Sequence, residues 1–276
     1  MTRLLVNGVR LEARSSGEGR PLVLLHGFTG RGTSWSGLLP SLRRGHRSIV
    51  LDLLGHGRSD APADPARYAV DCQAADVAAI LARLAAIPAD VIGYSMGARI
   101  ALRLAVDHPS AVDRLILESP SPGILDPDER AARRARDELL AEALERHGIA
   151  AFVDGWEAQP IFASHAGLSS AARRRLRQQR LANRPAGLAA SLRGAGQGVC
   201  PPLLGRLARV NAPTLLIAGA LDEAGRERAE TVAAALPDAR LAIVPGAGHT
   251  PHLERPTAFR RLVDSFLDAA PDGRPS

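Results

Sequence analysis

The chain has 276 residues, of which 46% are hydrophobic and 23% are charged, proportions that are ordinary for a globular protein with a sizeable core. Its formal net charge of +6 arises from arginine alone, because the sequence contains no lysine. The arginines form no basic patch interleaved with aromatic residues, so we expect no nucleic-acid partner.

The opening residues and the two cysteines bear on where the protein works. Residues 1–8 are soon interrupted by polar residues, unlike a secretory signal, and no apolar run approaches the roughly 20 residues that span a bilayer. Cys72 and Cys200 lie far apart, and neither has a metal-ligand spacing around it. We therefore expect a cytoplasmic protein without a membrane span, a disulfide, a metal or an organic cofactor. The sequence does not indicate the oligomeric state.

Short apolar runs recur along the chain, and helical patterns lie between them. Runs of this length, followed by turn residues, are typical of parallel strands that are buried on both faces. The predicted strands are residues 22–25, 48–51, 90–92, 115–117, 214–217 and 241–244, and the predicted helices between them include 70–86, 98–106 and 224–236. This alternation predicts an α/β fold with a mostly parallel sheet flanked by helices.

One long segment interrupts the alternation. Residues 121–204 contain no convincing strand, are rich in arginine and show helical patterns at 129–145 and 170–181. Because the segment falls between two predicted strands, we expect a helical cap inserted over the strand ends. The predicted organisation is a core of residues 1–120 and 205–270, a cap of residues 121–204 and a disordered tail of residues 271–276.

The motif Gly-Tyr-Ser-Met-Gly at positions 93–97 follows a predicted strand and precedes a predicted helix. In this context the pattern G-x-S-x-G forms a nucleophile elbow, a tight turn that lifts a serine above the sheet. The motif therefore predicts the α/β-hydrolase fold, with Ser95 as the reactive residue. Strand 22–25 runs into His26 and Phe28, where an oxyanion loop belongs in this fold, so the backbone N–H groups of Phe28 and Met96 are the predicted oxyanion donors.

The partners of the serine come later in the chain, in the order acid and then histidine. Asp222 follows strand 214–217 and is the predicted acid, with the adjacent Glu223 as the alternative. His249 follows strand 241–244 on a Gly-rich turn and is the predicted base, with His252 as the competitor. Such an acid holds the imidazole in the tautomer that can accept the serine proton.

The chain resembles the 2-succinyl-6-hydroxy-2,4-cyclohexadiene-1-carboxylate synthase family of menaquinone biosynthesis over nearly its whole length. The resemblance rests on the motifs above and on four more specific stretches, which are residues 93–99, residues 119–123, residues 152–156 with 160–164, and residues 187–194. After the acid the chain departs from the family pattern, because Glu223 leads into Ala224 and Gly225 instead of a Lys-Phe pair.

The resemblance implies a lyase that eliminates pyruvate from 2-succinyl-5-enolpyruvyl-6-hydroxy-3-cyclohexene-1-carboxylate, with Ser95 acting as a proton-abstracting base. The implied partner is a small-molecule polycarboxylate, which suits bidentate binding by guanidinium groups. The implied substrate contacts are Tyr94, Arg99, Arg133, Trp156 and Arg180. For the last of these, Arg177 is the alternative that a small alignment gap would select.

Two other functions compete with this interpretation. A serine hydrolase, either a carboxylesterase or a carbon-carbon bond hydrolase, would use the same triad through an acyl-enzyme. The arginines of the predicted cap argue against it, because an apolar substrate would prefer an apolar cap. A non-catalytic binding module with this fold ranks last, since candidates for all three triad positions are present.

Overall fold

A computed structural model describes residues 2–42 and 45–269, which form an eight-stranded sheet covered by helices. The strand order across the sheet is β1-β2-β4-β3-β5-β6-β7-β8. The strands are Thr2–Val6 (β1), Val9–Ser16 (β2), Arg20–Leu25 (β3), His46–Leu51 (β4), Ala89–Tyr94 (β5), Val112–Glu118 (β6), Thr214–Gly219 (β7) and Ala239–Val244 (β8). The predicted α/β-hydrolase fold with a mostly parallel sheet is confirmed.

The last six strands, β3 to β8, are the six predicted ones, and they pair in parallel. The sequence prediction missed β1 and β2, which form an antiparallel hairpin whose second strand pairs antiparallel with β4. Both strands carry exposed charged residues, for example Arg3 and Arg10, so neither reads as a continuous apolar run. A strand with one face in water alternates apolar and polar residues, and this is a weaker signal than a fully buried strand gives.

The helices occupy the links between the parallel strands and the end of the chain. They are Leu39–Leu42 (α1), Val70–Arg83 (α2), Met96–Asp107 (α3), Pro127–Glu157 (α4), Ser170–Leu181 (α5), Pro185–Ala195 (α6), Glu223–Ala235 (α7), Pro251–Glu254 (α8) and Pro256–Asp268 (α9). Helix α2 ends earlier than predicted because the chain turns at Ala85, whose φ is 48°. Helix α4 is broken at Gly148, whose φ of 76° is readily adopted only by glycine.

The core consists of two apolar layers, one on each face of the sheet. Neighbouring strand residues belong to different layers, as Leu22 and Val23 do in β3, because successive side chains of a strand point to opposite faces. One layer includes Ile80 of α2 and Ile100 of α3, and the other includes Phe259 of α9. Burial on both faces explains why each central strand contains a short apolar run.

The link between β6 and β7 carries helices α4, α5 and α6 and two 3₁₀ segments, Pro160–Gly167 and Leu204–Arg209. Helix α4 packs mainly on α6 and shares with it a small apolar cluster that contains Leu144, Phe152 and Leu188. The division of the chain into core and cap stays a prediction, and the predicted tail lies outside the described residues. Within the described part of the chain, no helix has both the length and the apolar character needed to cross a membrane.

Candidate active site

Ser95 lies between the end of β5 and the first residue of α3, with a positive φ of 52°. Its backbone N–H donates to the carbonyl oxygen of Glu118 at 2.9 Å, which ties the turn to β6. The flanking glycines leave no room for a side chain, because a Cβ on Gly97 would collide with the carbonyl oxygen of Leu25. Close packing of α3 against β3 therefore requires a glycine where the motif has one.

His249 and Asp222 complete a hydrogen-bonded series with this serine. His249 Nε2 lies 3.2 Å from Ser95 Oγ, and His249 Nδ1 lies 2.6 Å from Asp222 Oδ2. The three residues follow β5, β7 and β8, whose carboxyl ends meet at one edge of the sheet because these strands run in parallel. The structure thus brings together the serine, the predicted base and the predicted acid in the geometry of a catalytic triad.

The carboxylate of Asp222 is held in its ionised form. Burial raises its pKa, but the hydrogen bond and charge of His249, the N–H of Gly225 and the charge of Arg228 outweigh burial, and the pKa lies below its ordinary value. Gly225 N–H donates to Asp222 Oδ1 at 2.9 Å. The alternative acid, Glu223, is exposed at the first position of α7, and His249 pairs with Asp222 instead.

The competitor His252 has a different partner. Its backbone N–H and its Nδ1 both lie within 2.9 Å of the Glu118 carboxylate, and both residues are buried. The Tyr94 ring packs on both histidines, 5.0 Å from the His252 ring and 5.6 Å from the His249 ring between centroids. His252 therefore belongs to the packing behind the triad, and the structure gives it no bond to Ser95.

His26, in the predicted oxyanion loop, is a fully buried structural residue. Its Nε2 accepts the Leu53 N–H at 3.0 Å, so its Nδ1–H donates to the Gly27 carbonyl oxygen at 2.8 Å. Burial lowers the pKa of His26 to about 4. Nearby His56, whose ring centroid is 5.1 Å away, has its pKa lowered to about 3, first by burial and then by the charge of His26. Both rings are neutral at pH 7 and fix the loop that precedes the site.

The two predicted oxyanion donors lie next to Ser95. Met96 is the first residue of α3, where a backbone N–H has no partner within the helix. Within the described part of the chain, neither the Phe28 nor the Met96 N–H donates a hydrogen bond to another group. Both residues line the same cavity as Ser95, so two N–H groups are available to an anionic oxygen beside the serine.

A cavity of about 610 Å³ opens over the triad, a volume that is typical of small-molecule sites. Its floor is the triad with the Tyr94 and Phe28 side chains, and its opposite wall comes from the segment between β6 and β7. Burial and the charge of Glu118 raise the pKa of Tyr94 well above its ordinary value, so its hydroxyl stays protonated. Other lining residues include Arg99, Arg133, Trp156, Gln159, Phe162, Ser191, Ala224 and Arg228.

Arg99 and Arg133, which the resemblance implies as substrate contacts, both line this cavity. One terminal nitrogen of Arg99, Nη1, is fixed by the Ala195 carbonyl oxygen at 2.6 Å and by Cys200 Sγ at 2.8 Å. Arg133 Nε donates to Asp137 Oδ1 at 2.9 Å, one helical turn along α4. These bonds orient each guanidinium and leave its remaining nitrogens without a hydrogen bond to any described residue. Both arginines can therefore offer nitrogens to an anion in the cavity.

Trp156 and Arg180 are placed differently from each other. Trp156 lines the cavity, packs on Phe28 at 5.2 Å and, within the described residues, has no partner for its buried indole N–H. Arg180 is buried outside this cavity, with its guanidinium 5.0 Å from the centroid of the Phe162 ring and Nη1 3.0 Å from Glu157. The alternative, Arg177, is paired with Asp154 and Glu157 and does not line the cavity either.

The sequence reasoning overlooked the residues that hold His249 in place. Ser119 Oγ donates to the His249 carbonyl oxygen at 2.9 Å, and Glu254 accepts the N–H groups of Gly248 at 2.7 Å and Thr250 at 3.0 Å. Ser119 follows β6 at the strand edge that carries the triad, which was a usable signal. Glu254 lies in a four-residue helix, and no pattern in the sequence distinguishes it from other acids.

Within residues 2–42 and 45–269, no group of three His, Cys, Asp or Glu side chains is arranged to hold a metal ion. The cavity is lined by the triad, by the two residues with orphan N–H groups and by three arginines, together with polar residues that include Tyr94, Asp137, Gln159, Ser191 and Glu223. This set can abstract a proton, stabilise a developing negative charge and bind carboxylates.

Comparisons with known proteins agree with this geometry. A family model described as the alpha/beta hydrolase fold matches residues 20–256. A Bacillus subtilis (strain 168) protein, provisionally named 2-succinyl-6-hydroxy-2,4-cyclohexadiene-1-carboxylate synthase, is 41% identical over 95% of this chain and 96% of its own. The synthase of the same name from Serratia proteamaculans (strain 568) is 33% identical over 89% of this chain and 92% of its own. The solved structure of MenH from S. aureus has a TM-score of 0.89 and 32% identity, covering 92% of this chain and 97% of that one.

Proposed function

Because the chain belongs to the α/β-hydrolase fold family and, within it, to the 2-succinyl-6-hydroxy-2,4-cyclohexadiene-1-carboxylate synthases, we propose that it is a carbon-oxygen lyase of menaquinone biosynthesis. It eliminates pyruvate from 2-succinyl-5-enolpyruvyl-6-hydroxy-3-cyclohexene-1-carboxylate. The observation that carries the proposal is the cavity itself, in which Arg99 and Arg133 face the same space as the triad. A substrate with several carboxylates matches a triad surrounded by guanidinium groups.

In the proposed reaction Ser95 is a base and forms no covalent bond to the substrate. His249 Nε2, 3.2 Å from Ser95 Oγ, takes the hydroxyl proton as Oγ removes a proton from a ring carbon. The electrons of the broken C–H bond form a new ring double bond, the existing ring double bond shifts by one position, and the C–O bond to the enolpyruvyl group breaks. Pyruvate leaves as its enolate and takes up the proton held by His249. The ring becomes a diene, and Ser95 and His249 return to their starting protonation states.

Each of the other predicted residues has a place in this proposal. The N–H groups of Phe28 and Met96, which have no other acceptor among the described residues, stabilise negative charge that develops on a substrate oxygen. Arg99 and Arg133 bind substrate carboxylates through the nitrogens that the protein leaves free. Tyr94 and Trp156 line the same cavity, and the indole N–H of Trp156 is buried without a partner among the described residues, so it reaches the substrate only if the side chain shifts.

Arg180 requires a rearrangement to act as a substrate contact. Its guanidinium pairs with Glu157 and stacks on Phe162, which lines the cavity. We propose that it reaches the substrate only by exchanging Glu157 for a substrate carboxylate, and that it otherwise holds Phe162 in place. A conservative Arg180→Lys variant keeps the charge but loses the planar stacking on the ring.

The broader setting of the reaction is also a proposal. Residues 121–204 act as a cap that closes the site over a small polycarboxylate, and the protein works in the cytoplasm without a nucleic-acid partner. A reducing compartment agrees with the free thiols of Cys72 and Cys200. The arginines that line the cavity, Arg133 from the cap and Arg99 from α3, are the binding groups of this proposal, rather than a basic surface.

The test is a direct assay of pyruvate release from the enolpyruvyl substrate by the unsubstituted protein and by Ser95→Ala. We expect release of pyruvate with formation of the diene absorbance, and loss of both in the variant, whose unfolding transition should be unchanged. Hydrolysis of a simple ester by the same preparations is measured in parallel. Brisk Ser95-dependent ester hydrolysis without pyruvate release would reject the lyase and favour a serine hydrolase that forms an acyl-enzyme.

A further inference from the structure

A third arginine, Arg228, lines the cavity from a different side than Arg99 and Arg133. Arg99 belongs to α3 and Arg133 to α4, whereas Arg228 belongs to α7, the helix that begins directly after Asp222. The cavity therefore has one guanidinium, that of Arg228, beside Asp222, in addition to those of Arg99 and Arg133 on the side of the cap.

The position of Arg228 on α7 directs its side chain toward the triad. Side chains in an α-helix lean toward its N-terminus, and residues four apart lie on one face. Ala224 is one turn before Arg228 and also lines the cavity, but its side chain ends at Cβ. The small side chain of Ala224 therefore leaves space in the cavity that the side chain of Arg228 can occupy. The charge reaches Asp222, whose pKa is raised by burial but lowered overall by His249, Gly225 and Arg228.

Arg228 differs from Arg133 and Arg226 because, within the described part of the chain, its guanidinium has no hydrogen bond or ion pair. Arg133 pairs with Asp137 at 2.9 Å and Arg226 with Glu230 at 3.5 Å. Arg228 is half-buried against the cavity. Asp222 bonds His249 and Gly225, and among the described residues no hydrogen bond or ion pair joins it to Arg228, which acts on it through charge alone. A half-buried guanidinium without a partner is matched to an anion that enters the cavity.

We propose that Arg228 binds a carboxylate of the substrate, so that the cavity has an anionic subsite beside Asp222 that is separate from the one formed by Arg99 and Arg133. The inference rests on the proposed function, since a polycarboxylate supplies anions for both subsites. The guanidinium stays charged at every physiological pH and binds a carboxylate bidentately. It also counters the repulsion between that carboxylate and the ionised Asp222.

The experiment compares Arg228→Gln and Arg228→Lys with the unsubstituted enzyme in the pyruvate-release assay. A charge-assisted hydrogen bond made equally in the ground and transition states sets KM, so Arg228→Gln should raise KM on the order of 10- to 100-fold with kcat nearly unchanged. Arg228→Lys should recover part of the increase. The matched control is Arg226→Gln, which removes a paired arginine of the same helix and should leave both constants unchanged.

Two results would overturn the inference while leaving the proposed function intact. One is an unchanged KM in Arg228→Gln. The other is a lower kcat with a shifted pH profile at constant KM, which would mean that Arg228 acts only through Asp222 and His249. If the unsubstituted protein releases no pyruvate, the proposed function fails, and calorimetric binding of benzene-1,3,5-tricarboxylate decides the subsite. Weaker binding to Arg228→Gln than to Arg226→Gln supports it, and equal or absent binding rejects it.

Discussion

Asp222 and His249 are joined by a 2.6 Å contact between Oδ2 and Nδ1, while the other oxygen of the same carboxylate caps α7 through the Gly225 N–H at 2.9 Å. One side chain thus orients the imidazole and begins the helix that follows β7. The hydrogen bond from Gly225 fixes the Asp222 carboxylate at the edge of the sheet, so the imidazole of His249 is aligned before any substrate arrives.

The variant Asp222→Asn separates these two tasks. Asparagine caps helices about as well as aspartate, so the free energy of unfolding should change by less than about 1 kcal/mol. Its amide offers His249 Nδ1 either a donor or a neutral acceptor, which disfavours the productive tautomer and the charged imidazole. We expect kcat for pyruvate release to fall on the order of 10³- to 10⁴-fold, by analogy with other serine triads.

The control for that experiment is Glu223→Gln, which changes the neighbouring acid that also lines the cavity. Glu223 is exposed and is not the partner of His249, so kcat should stay within about threefold, as is usual for a surface substitution. The reverse ranking, with Glu223→Gln inactive and Asp222→Asn active, would reassign the acid of the triad.

The sequence predicted the parallel strands and the triad positions for a physical reason. Strands β3 to β7 are mostly buried and each contains a short apolar run, and the chemistry follows the carboxyl ends of β5, β7 and β8 in chain order. The serine, acid and histidine could therefore be assigned from strand positions and Gly-rich turns alone. Their mutual distances are a property of the structure, because they depend on strands that are far apart in sequence.

Other features depend on tertiary contacts that no local pattern reveals. Arg180 and Arg177 are three residues apart on one helix, and only packing shows that both pair with Glu157 outside the cavity. Arg228 resembles a solvated arginine of an amphipathic helix until the cavity is seen. The break in α4 rests on Gly148, which a helical pattern tolerates without a visible signal.

The orientation of Arg133 by Asp137 gives a prediction about substrate binding. Removing the cation in Arg133→Gln should raise KM for the enolpyruvyl substrate on the order of 10-fold or more, since a charge-assisted bond contributes roughly 1.5–3 kcal/mol. Asp137→Asn should raise KM less, because the guanidinium stays but loses its fixed orientation. Arg134→Gln, at the next position, which is exposed, is the matched control and should leave KM unchanged. Equal effects of Arg133→Gln and Arg134→Gln would indicate a general charge effect rather than a specific contact.

The glycine after the elbow serine should be intolerant of any side chain. In Gly97→Ala the new Cβ collides with the backbone oxygens of Leu25 and His26, which cannot move without disturbing β3. We expect a loss of roughly 1–3 kcal/mol in the free energy of unfolding, measured in urea, together with reduced activity. Gly155→Ala is the contrasting variant, because a Cβ there meets no atom within 4 Å and alanine favours the helix by roughly 0.5–1 kcal/mol. Similar losses in both variants would contradict the packing argument.

Stability should fall as the pH drops from 6.5, because buried neutral histidines oppose protonation. The pKa is lowered to about 4 for His26 and to about 3 for His56, in both cases mainly by burial. Below pH 6.5 these histidines bind protons in the unfolded chain but stay neutral in the folded protein. The free energy of unfolding therefore declines as the pH falls, until the pH reaches the pKa of each histidine in the folded protein. A pKa lowered from 6.5 to about 4 corresponds to roughly 3 kcal/mol.

Urea unfolding of the unsubstituted protein and of His56→Gln at pH 7.5, 5.5 and 4.5 measures this effect. The variant loses the ring that accepts the Thr29 N–H and should be less stable at pH 7.5. Because glutamine does not titrate, the stability of the variant should decline less between pH 7.5 and pH 4.5 than that of the unsubstituted protein. His147→Gln, at an exposed position, should keep the full decline of the unsubstituted protein. Parallel pH curves for all three proteins would show that acid lability originates elsewhere, in carboxylates such as Asp222 whose lowered pKa makes stability fall at still lower pH.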